Sequence, residues 1–396
     1  MIDWNLAAEA ALPDMTALRR AIHAEPELGL DNPRTAEKIM AALAGLPLEI
    51  RTGPSTSGII ATLKGPANGR TVLLRGDTDA LPIPEETGLD FSSTIPGAMH
   101  ACGHDAHVAM LAGAARMLCE RREQLAGSVM FMFQPGEEGH HGARYMLDDG
   151  LLNPLPDAAF ALHIMPNAPW GVVGGRTGAL LASNDKLRII VTGRGGHASM
   201  PHDALDPVPI ACEIALALQT FVTRQVSVFD PAVITIGQIS AGTTDNVIPE
   251  TALLYGTMRT LSAATRQKLH DGLPRLAQGI AAAHGASATV EIIPGFPVTN
   301  CDGRAVALGE AVTKRLFGED AWQTLANPIM GAEDFAYVLE KVPGAMFFLG
   351  VAEQGADWRA CCGLHSNHMH LDESAMARGA ALHAAIAETY LANGFG

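Results

Sequence analysis

Apolar residues in this chain gather in short runs that end in polar or glycine-rich loops, and helical patterns separate the runs. The first well-bounded strand is "TVLLR" (71–75), closed by "GDTDALP"; "SVMFMF" (128–133) ends at "QPGEEGHHG", and "AAFALHI" (158–164) ends at "MPNAPWG". An alanine-rich helix from about His104 to Cys119 lies between the first two runs, and a helical start that includes "MTALRRAIHAEPELG" precedes them all. Apolar runs alternating with helices predict an α/β domain built on a mixed, mostly parallel, buried sheet.

The rhythm changes between about Asn184 and Phe296. Here the order is strand "KLRIIVTG", helix 203–224, strand "AVITIGQIS", strand "ALLYGTMRT", helix 262–284, strand "SATVEIIPGF". That β-α-β-β-α-β order is the split βαβ of a ferredoxin-like sandwich and predicts a self-contained insertion. The first pattern then resumes with "GAEDFAYVLEKV", strand "AMFFLG" (345–350), the loop "CCGLHSNHMHLDES" and a long closing helix rich in alanine. The expected division is a discontinuous domain, 1–183 and 297–396, interrupted by a second domain at 184–296. A chain of 396 residues suits two domains, because single cores usually stop growing near ~250–300 residues.

Composition narrows the partners. Forty-two acidic against 27 basic residues give a formal charge of −15, which disfavours nucleic-acid backbones and anionic membranes. The start, "MIDWNLAAEAALPDM", lacks the basic and apolar regions of a signal peptide, and no apolar run reaches the ~18 residues of a membrane span, so a cytoplasmic location is expected. Six scattered cysteines (Cys102, Cys119, Cys212, Cys301, Cys361, Cys362) form no paired framework, which favours reduced thiols.

The chemistry-bearing residues fall just after predicted strands or at helix entries, where ligands bind in open α/β sheets. Cys102 and His104 of "MHACGHDAHVAML" enter a helix, Glu137 and Glu138 follow strand 128–133, His163 closes strand 158–164, and His365 lies beyond strand 345–350. Taken singly, each has a plain alternative: a small buried thiol, carboxylates at a helix N-terminus, a core histidine. Together they offer thiolate, imidazole and carboxylate, a donor set suited to Zn²⁺, Mn²⁺, Co²⁺ or Ni²⁺. A Cys102 nucleophile with His104 or His107 as its base is also conceivable, but it leaves both glutamates without work. A metal reading uses both, one as ligand and one as general base for an activated water, and is favoured here.

The segments "RGDTDALP", "MHACGHDAHVAML", "FQPGEEG", "ALHI", "GRGGHASMPHDALDP", "GTTDNVIPE", "GTMRT", "GAEDFAY" and "LHS" occur in the order seen in the M20 metallopeptidase family. They resemble its amidohydrolase branch of hippurate hydrolases, aminoacylases and auxin-conjugate hydrolases. The resemblance implies a catalytic domain holding two divalent ions, Mn²⁺ or Zn²⁺ foremost with Co²⁺ or Ni²⁺ as alternatives, and a smaller lid domain that also mediates a homodimer. It implies Cys102, His104, Glu138, His163 and His365 as ligands and Glu137 as the general acid/base. Asp79 would orient a neighbouring group, and His197 would reach an adjacent active site to polarise the scissile carbonyl. Asn246, Arg259 and, more weakly, His202 would hold the substrate. The implied reaction cleaves N-acyl amino acids to a carboxylate and a free amino acid. The alternatives are a dipeptidase or carboxypeptidase on the same scaffold and a metal-binding homologue without catalysis. The surplus histidines His140, His141, His368 and His370 have no assigned role.

Overall fold

The computed structural model describes residues 3–360 and 362–396; Cys361 lies outside them. The described residues form two compact units, one drawn from 3–180, 300–327 and 334–396, the other of Leu181–Thr299 and Pro328–Glu333. The short return segment Pro328–Glu333 thus joins the second unit, where the sequence pattern gave no sign of it. Backbone pairing explains the difference: Ala182 N–H donates to the Ile329 and Gly331 carbonyls, and Arg259 Nη1 donates to the Met330 carbonyl at 2.8 Å.

The first unit is built on an eight-stranded sheet. Its centre consists of Gly127–Gln134, Arg70–Asp77, Ala158–Met165 and Gly344–Gly350, all mutually parallel, while antiparallel neighbours Leu48–Thr52 and Ile59–Lys64 extend one side. The central strands are buried along almost their whole length, which is why they read as unbroken apolar runs. Helix His104–Glu120 is buried nearly all round, and its alanines allow helices Trp4–His23 and Ala375–Asn393 to pack close beside it. The C-terminal ends of the four parallel strands carry or abut Asp77, Gln134, His163 and Gly350.

Charge is also buried here. His23 Nδ1 lies 2.8 Å from Asp105 and Nε2 3.2 Å from Glu85, while Arg19 bridges Asp105 at 3.0 Å and Glu373 at 2.8 Å. Burial opposes the charge on His23, but Asp105 and Glu85 outweigh it and raise the ring to about 9. A histidine raised in the folded state stabilises the protein fully below its unfolded value near ~6.5, and that contribution disappears as pH climbs through about 9. Thermal unfolding between pH 6.5 and 9.5 is therefore expected to show a falling Tm, equivalent to ~3 kcal/mol across the range. The slope should flatten in His23→Gln; equal slopes in the two proteins would exclude His23 as its source.

The second unit is a four-stranded antiparallel sheet in the order Ala232–Ala241, Thr251–Thr260, Asp185–Thr192, Ser287–Ile293. Numbered along the chain, that is 2-3-1-4. Burial alternates along Asp185–Thr192 and Thr251–Thr260, so one face is apolar. Helices Pro207–Gln225 and Ala263–Ala283 supply Ile210, Ile214, Leu218, Leu269 and Leu273 to the core formed with Leu187, Ile189, Val191 and Leu254. The first of these helices begins at Pro207, capped by Asp206, later than the sequence pattern suggests; Pro201–Asp203 forms a separate short turn. A ribbon of Gly196–His197 against Val247–Ile248 completes the unit.

Candidate metal centre

Gly103 is where the centre starts. Its φ of 82° lies in the left-handed region, and a Cβ there would sit 2.5 Å from the Ile164 side chain, so the backbone turns tightly over Ile164 with Cys102 on one side and His104 on the other. Cys102 Sγ comes 3.4 Å from His163 Nε2. His365 arrives from the C-terminal loop with φ 64°, an uncommon conformation for a residue with a side chain, anchored by its N–H on the Ala101 carbonyl at 2.8 Å. Its Nε2 lies 3.3 Å from Glu138 Oε1.

Besides a group of Asp77, His104 and His107, two groups of donors, each within 4.8 Å, contain Cys102: Cys102, His104 and His163, and Cys102, Glu138 and His365. They share the Cys102 sulfur. Glu137 lies with His104 and Glu138 in a further such group and is in neither of the two that contain Cys102.

Three buried polar atoms of the centre make no hydrogen bond. Neither ring nitrogen of the buried His104 has a hydrogen bond, although Asp79 is 3.5 Å from Nδ1 and Asp77 3.6 Å from Nε2; Glu138 Oε1 also lacks one. Buried donors and acceptors left in this state are costly, and a cation is what such a set accepts. Charge agrees with this. Burial disfavours the imidazolium of His104, yet Asp77 and Cys102 outweigh it and hold the ring well above its usual value. The site thus demands positive charge. Burial and the neighbouring His107 instead keep His163 well below the usual value and hence neutral, the state in which imidazole ligates. Burial pushes the Cys102 thiol up against the pull of His104, whereas a coordinating cation deprotonates a thiol outright. The neighbouring Cys102 and Glu138 raise His365 to about 10. Residues and group therefore fit.

Asp79 acts on the backbone. Its carboxylate accepts the Glu137 N–H at 2.9 Å and the Glu138 N–H at 3.0 Å, fixing the loop that carries both glutamates. Of the three histidines in the C-terminal loop, His365 alone joins the donors; His368 bonds the Glu86 carbonyl at 2.8 Å, and His370 the His368 carbonyl at 3.2 Å. His141 (φ 61°) bonds the Tyr337 hydroxyl at 2.9 Å, and His140 lies against Gly29 and Gly136.

The remaining predicted residues belong to the second unit. His197 and Asn246 meet on its ribbon, where Ala198 N–H donates to the Asn246 carbonyl at 3.1 Å, and both side chains are exposed. His197 Nδ1 faces the Ser199 hydroxyl at 2.8 Å. Arg259 is half-buried, and His202 is exposed beside Asp203 at 3.8 Å.

Sequence reasoning overlooked Arg75, Asp77 and the full part played by His107. Arg75, wholly buried, donates to Asp77 at 2.6 Å, to Gln134 at 2.8 Å and to Asp334 at 3.2 Å. The signal lay in "HDAH", which sets His104 and His107 on one face of a helix, and in the alternation of Asp77 with Asp79.

The fold is that of a metal-dependent amidohydrolase. The chain belongs to peptidase family M20/M25/M40, whose profile matches residues 73–389. It is 40% identical over 362 residues to the N-acetylcysteine deacetylase of Bacillus subtilis, covering 91% of this chain and 92% of that one. It is 36% identical to thermostable carboxypeptidase 1 of Saccharolobus solfataricus, with 93% of each chain covered. Among solved structures, the Bacillus subtilis YXEP protein, described as a dinuclear metal-binding peptidase of the M20 family, superposes with a TM-score of 0.84 at 35% identity, covering 97% of this chain and 99% of that one. Among the described residues, no helix is long and apolar enough to cross a membrane, and Cys102, Cys119, Cys212, Cys301 and Cys362 are free thiols.

Proposed function

We propose that this protein hydrolyses the amide bond of N-acyl amino acids, releasing a carboxylate and a free amino acid. The observation that carries the proposal is the pair of donor groups sharing Cys102 beside the separately held Glu137. Cys102, His104, Glu138, His163 and His365 are assigned as ligands of two divalent ions, Mn²⁺ or Zn²⁺ foremost and Co²⁺ or Ni²⁺ as alternatives. Such ions supply Lewis acidity and bring the pKa of water toward ~7.

Glu137 takes the proton of the attacking water and later delivers it to the departing amine nitrogen. Asp79 keeps the Glu137 backbone in place for both transfers. His197 donates to the developing oxyanion, and Asn246 and Arg259 hold the carboxylate of the amino acid, with His202 at the rim. In this reading the second unit is a ferredoxin-like lid, supported by its β-α-β-β-α-β order and 2-3-1-4 sheet, and it pairs two copies into a homodimer. Its edge strand Ala232–Ala241 exposes Val233 and Ile239, which supports an interface there. The protein acts in the cytoplasm on a small molecule, away from nucleic acid and membranes.

A second reading, a carboxypeptidase or dipeptidase, is favoured by the likeness to the thermostable carboxypeptidase. Release of free amino acid from benzoyl-, acetyl- and longer-chain N-acyl amino acids and from simple dipeptides separates the two. The expected result is Mn²⁺- or Zn²⁺-dependent release that is faster from acyl conjugates. Faster release from dipeptides would favour the second reading, and release by metal-free protein would overturn both. Bound metal with no release from any substrate would favour a metal-binding homologue without catalysis.

A further inference from the structure

Beside the donors that include Cys102 lies a buried pair, Asp77 and His107, which groups with His104 and to which the hydrolysis proposed above assigns no role. Strands Arg70–Asp77 and Ala158–Met165 pair only from Val72↔Ala158 to Arg75↔Ala161. Past that point the Ile164 N–H donates to His107 Nε2 at 2.9 Å, so an imidazole ring stands where a strand neighbour would be. A backbone N–H can only donate. His107 Nε2 must therefore carry the lone pair, which places the ring proton on Nδ1, 2.5 Å from Asp77 Oδ1. Arg75 holds the other oxygen of Asp77 at 2.6 Å.

Ile164 is gripped a second time. Its carbonyl accepts from His163 Nδ1 at 2.7 Å, which fixes the tautomer of His163 and turns the Nε2 lone pair toward Cys102. The close approach is built into the chain, since a Cβ on Gly76 would lie 2.9 Å from the His107 carbonyl oxygen. Asp77, His107, Ile164 and His163 thus form one continuous line of hydrogen bonds ending at the shared sulfur.

We propose that Asp77 and His107 are a positioning pair that holds Ile164, and through it His163, in the orientation that offers His163 Nε2 to a divalent cation. The inference rests on the metal-centre reading of Cys102 and His163. Removing such an outer partner typically weakens metal affinity by ~10–100-fold.

The test uses the full-length protein stripped of metal and reloaded with Co²⁺. Chelator competition gives the affinity, and thiolate-to-Co²⁺ absorption reports the Cys102 environment. His107→Asn can still reach Asp77 but is too short for Ile164; His107→Gln can reach Ile164 with its amide oxygen. The expected result is a loss of ~10–100-fold in Co²⁺ affinity with an altered thiolate band in His107→Asn, largely restored in His107→Gln, with both variants folded by circular dichroism. Wild-type affinity and band in His107→Asn would overturn the proposal, as would a His107→Gln variant as weak as His107→Asn. Should His107→Asn fail to fold, His107→Gln alone decides: near wild-type affinity and band support the pair, and a loss as large as that expected of His107→Asn overturns it. Failure of the wild-type protein itself to bind Co²⁺ with a thiolate band would instead overturn the metal-centre reading.

Discussion

Glu137→Ala is expected to lower kcat by ~10²–10⁴-fold while bound metal stays at the wild-type stoichiometry. The separation follows from geometry. Glu137 is close to His104 and Glu138 but outside both donor groups that share Cys102, so its loss removes a proton carrier and leaves those groups intact. Its backbone N–H is held by Asp79, an anchor that the substitution leaves in place. Turnover and metal content measured on the same preparation check this. A variant with near-normal kcat would remove Glu137 from the role of general base.

Cys102→Ala is expected to behave in the opposite way, losing metal first and activity as a consequence. Because both donor groups contain the Cys102 sulfur, one substitution strips a ligand from each. The fall in affinity should exceed the ~10–100-fold typical of outer-shell partners. The small, buried side chain makes the accompanying loss of packing modest, so circular dichroism should report an intact fold. A Cys102→Ala protein that kept its full metal content yet lost turnover would bring back the cysteine-nucleophile alternative.

These two residues were legible in the sequence because Glu137 follows a buried strand that announces itself as an apolar run and Cys102 stands at the entry of an alanine-rich helix. The runs 71–75, 128–133, 158–164 and 345–350 each lie inside an observed strand. Shorter strands such as Val173–Gly175 and Trp322–Thr324 carry too few residues to make a pattern, and they were not foreseen. The ordered motifs picked out His365 but could not display why it differs from His368 and His370. That difference lies in a left-handed backbone and an anchor on Ala101, both products of tertiary packing. Asp79 was expected to orient a neighbour, and the neighbour proves to be the backbone of both glutamates, which side-chain chemistry alone does not reveal. Asp77, and the part His107 plays beyond a possible base for Cys102, escaped notice for a related reason. Their partner is the N–H of Ile164, and a backbone group leaves no trace in the residue alphabet.

The interleaved sheet order bears on how the chain is made. Strand Gly344–Gly350 lies between Ala158–Met165 and Val173–Gly175, yet the ribosome delivers it only after the entire second unit. Until then Ala158–Met165 lacks the strand neighbour that satisfies its hydrogen-bonding groups on that side. Cys102, His104, Glu138 and His163 have emerged by then, but His365 has not. The donor group of Cys102, Glu138 and His365 can therefore assemble only after strand Gly344–Gly350 and the loop that follows it have been made.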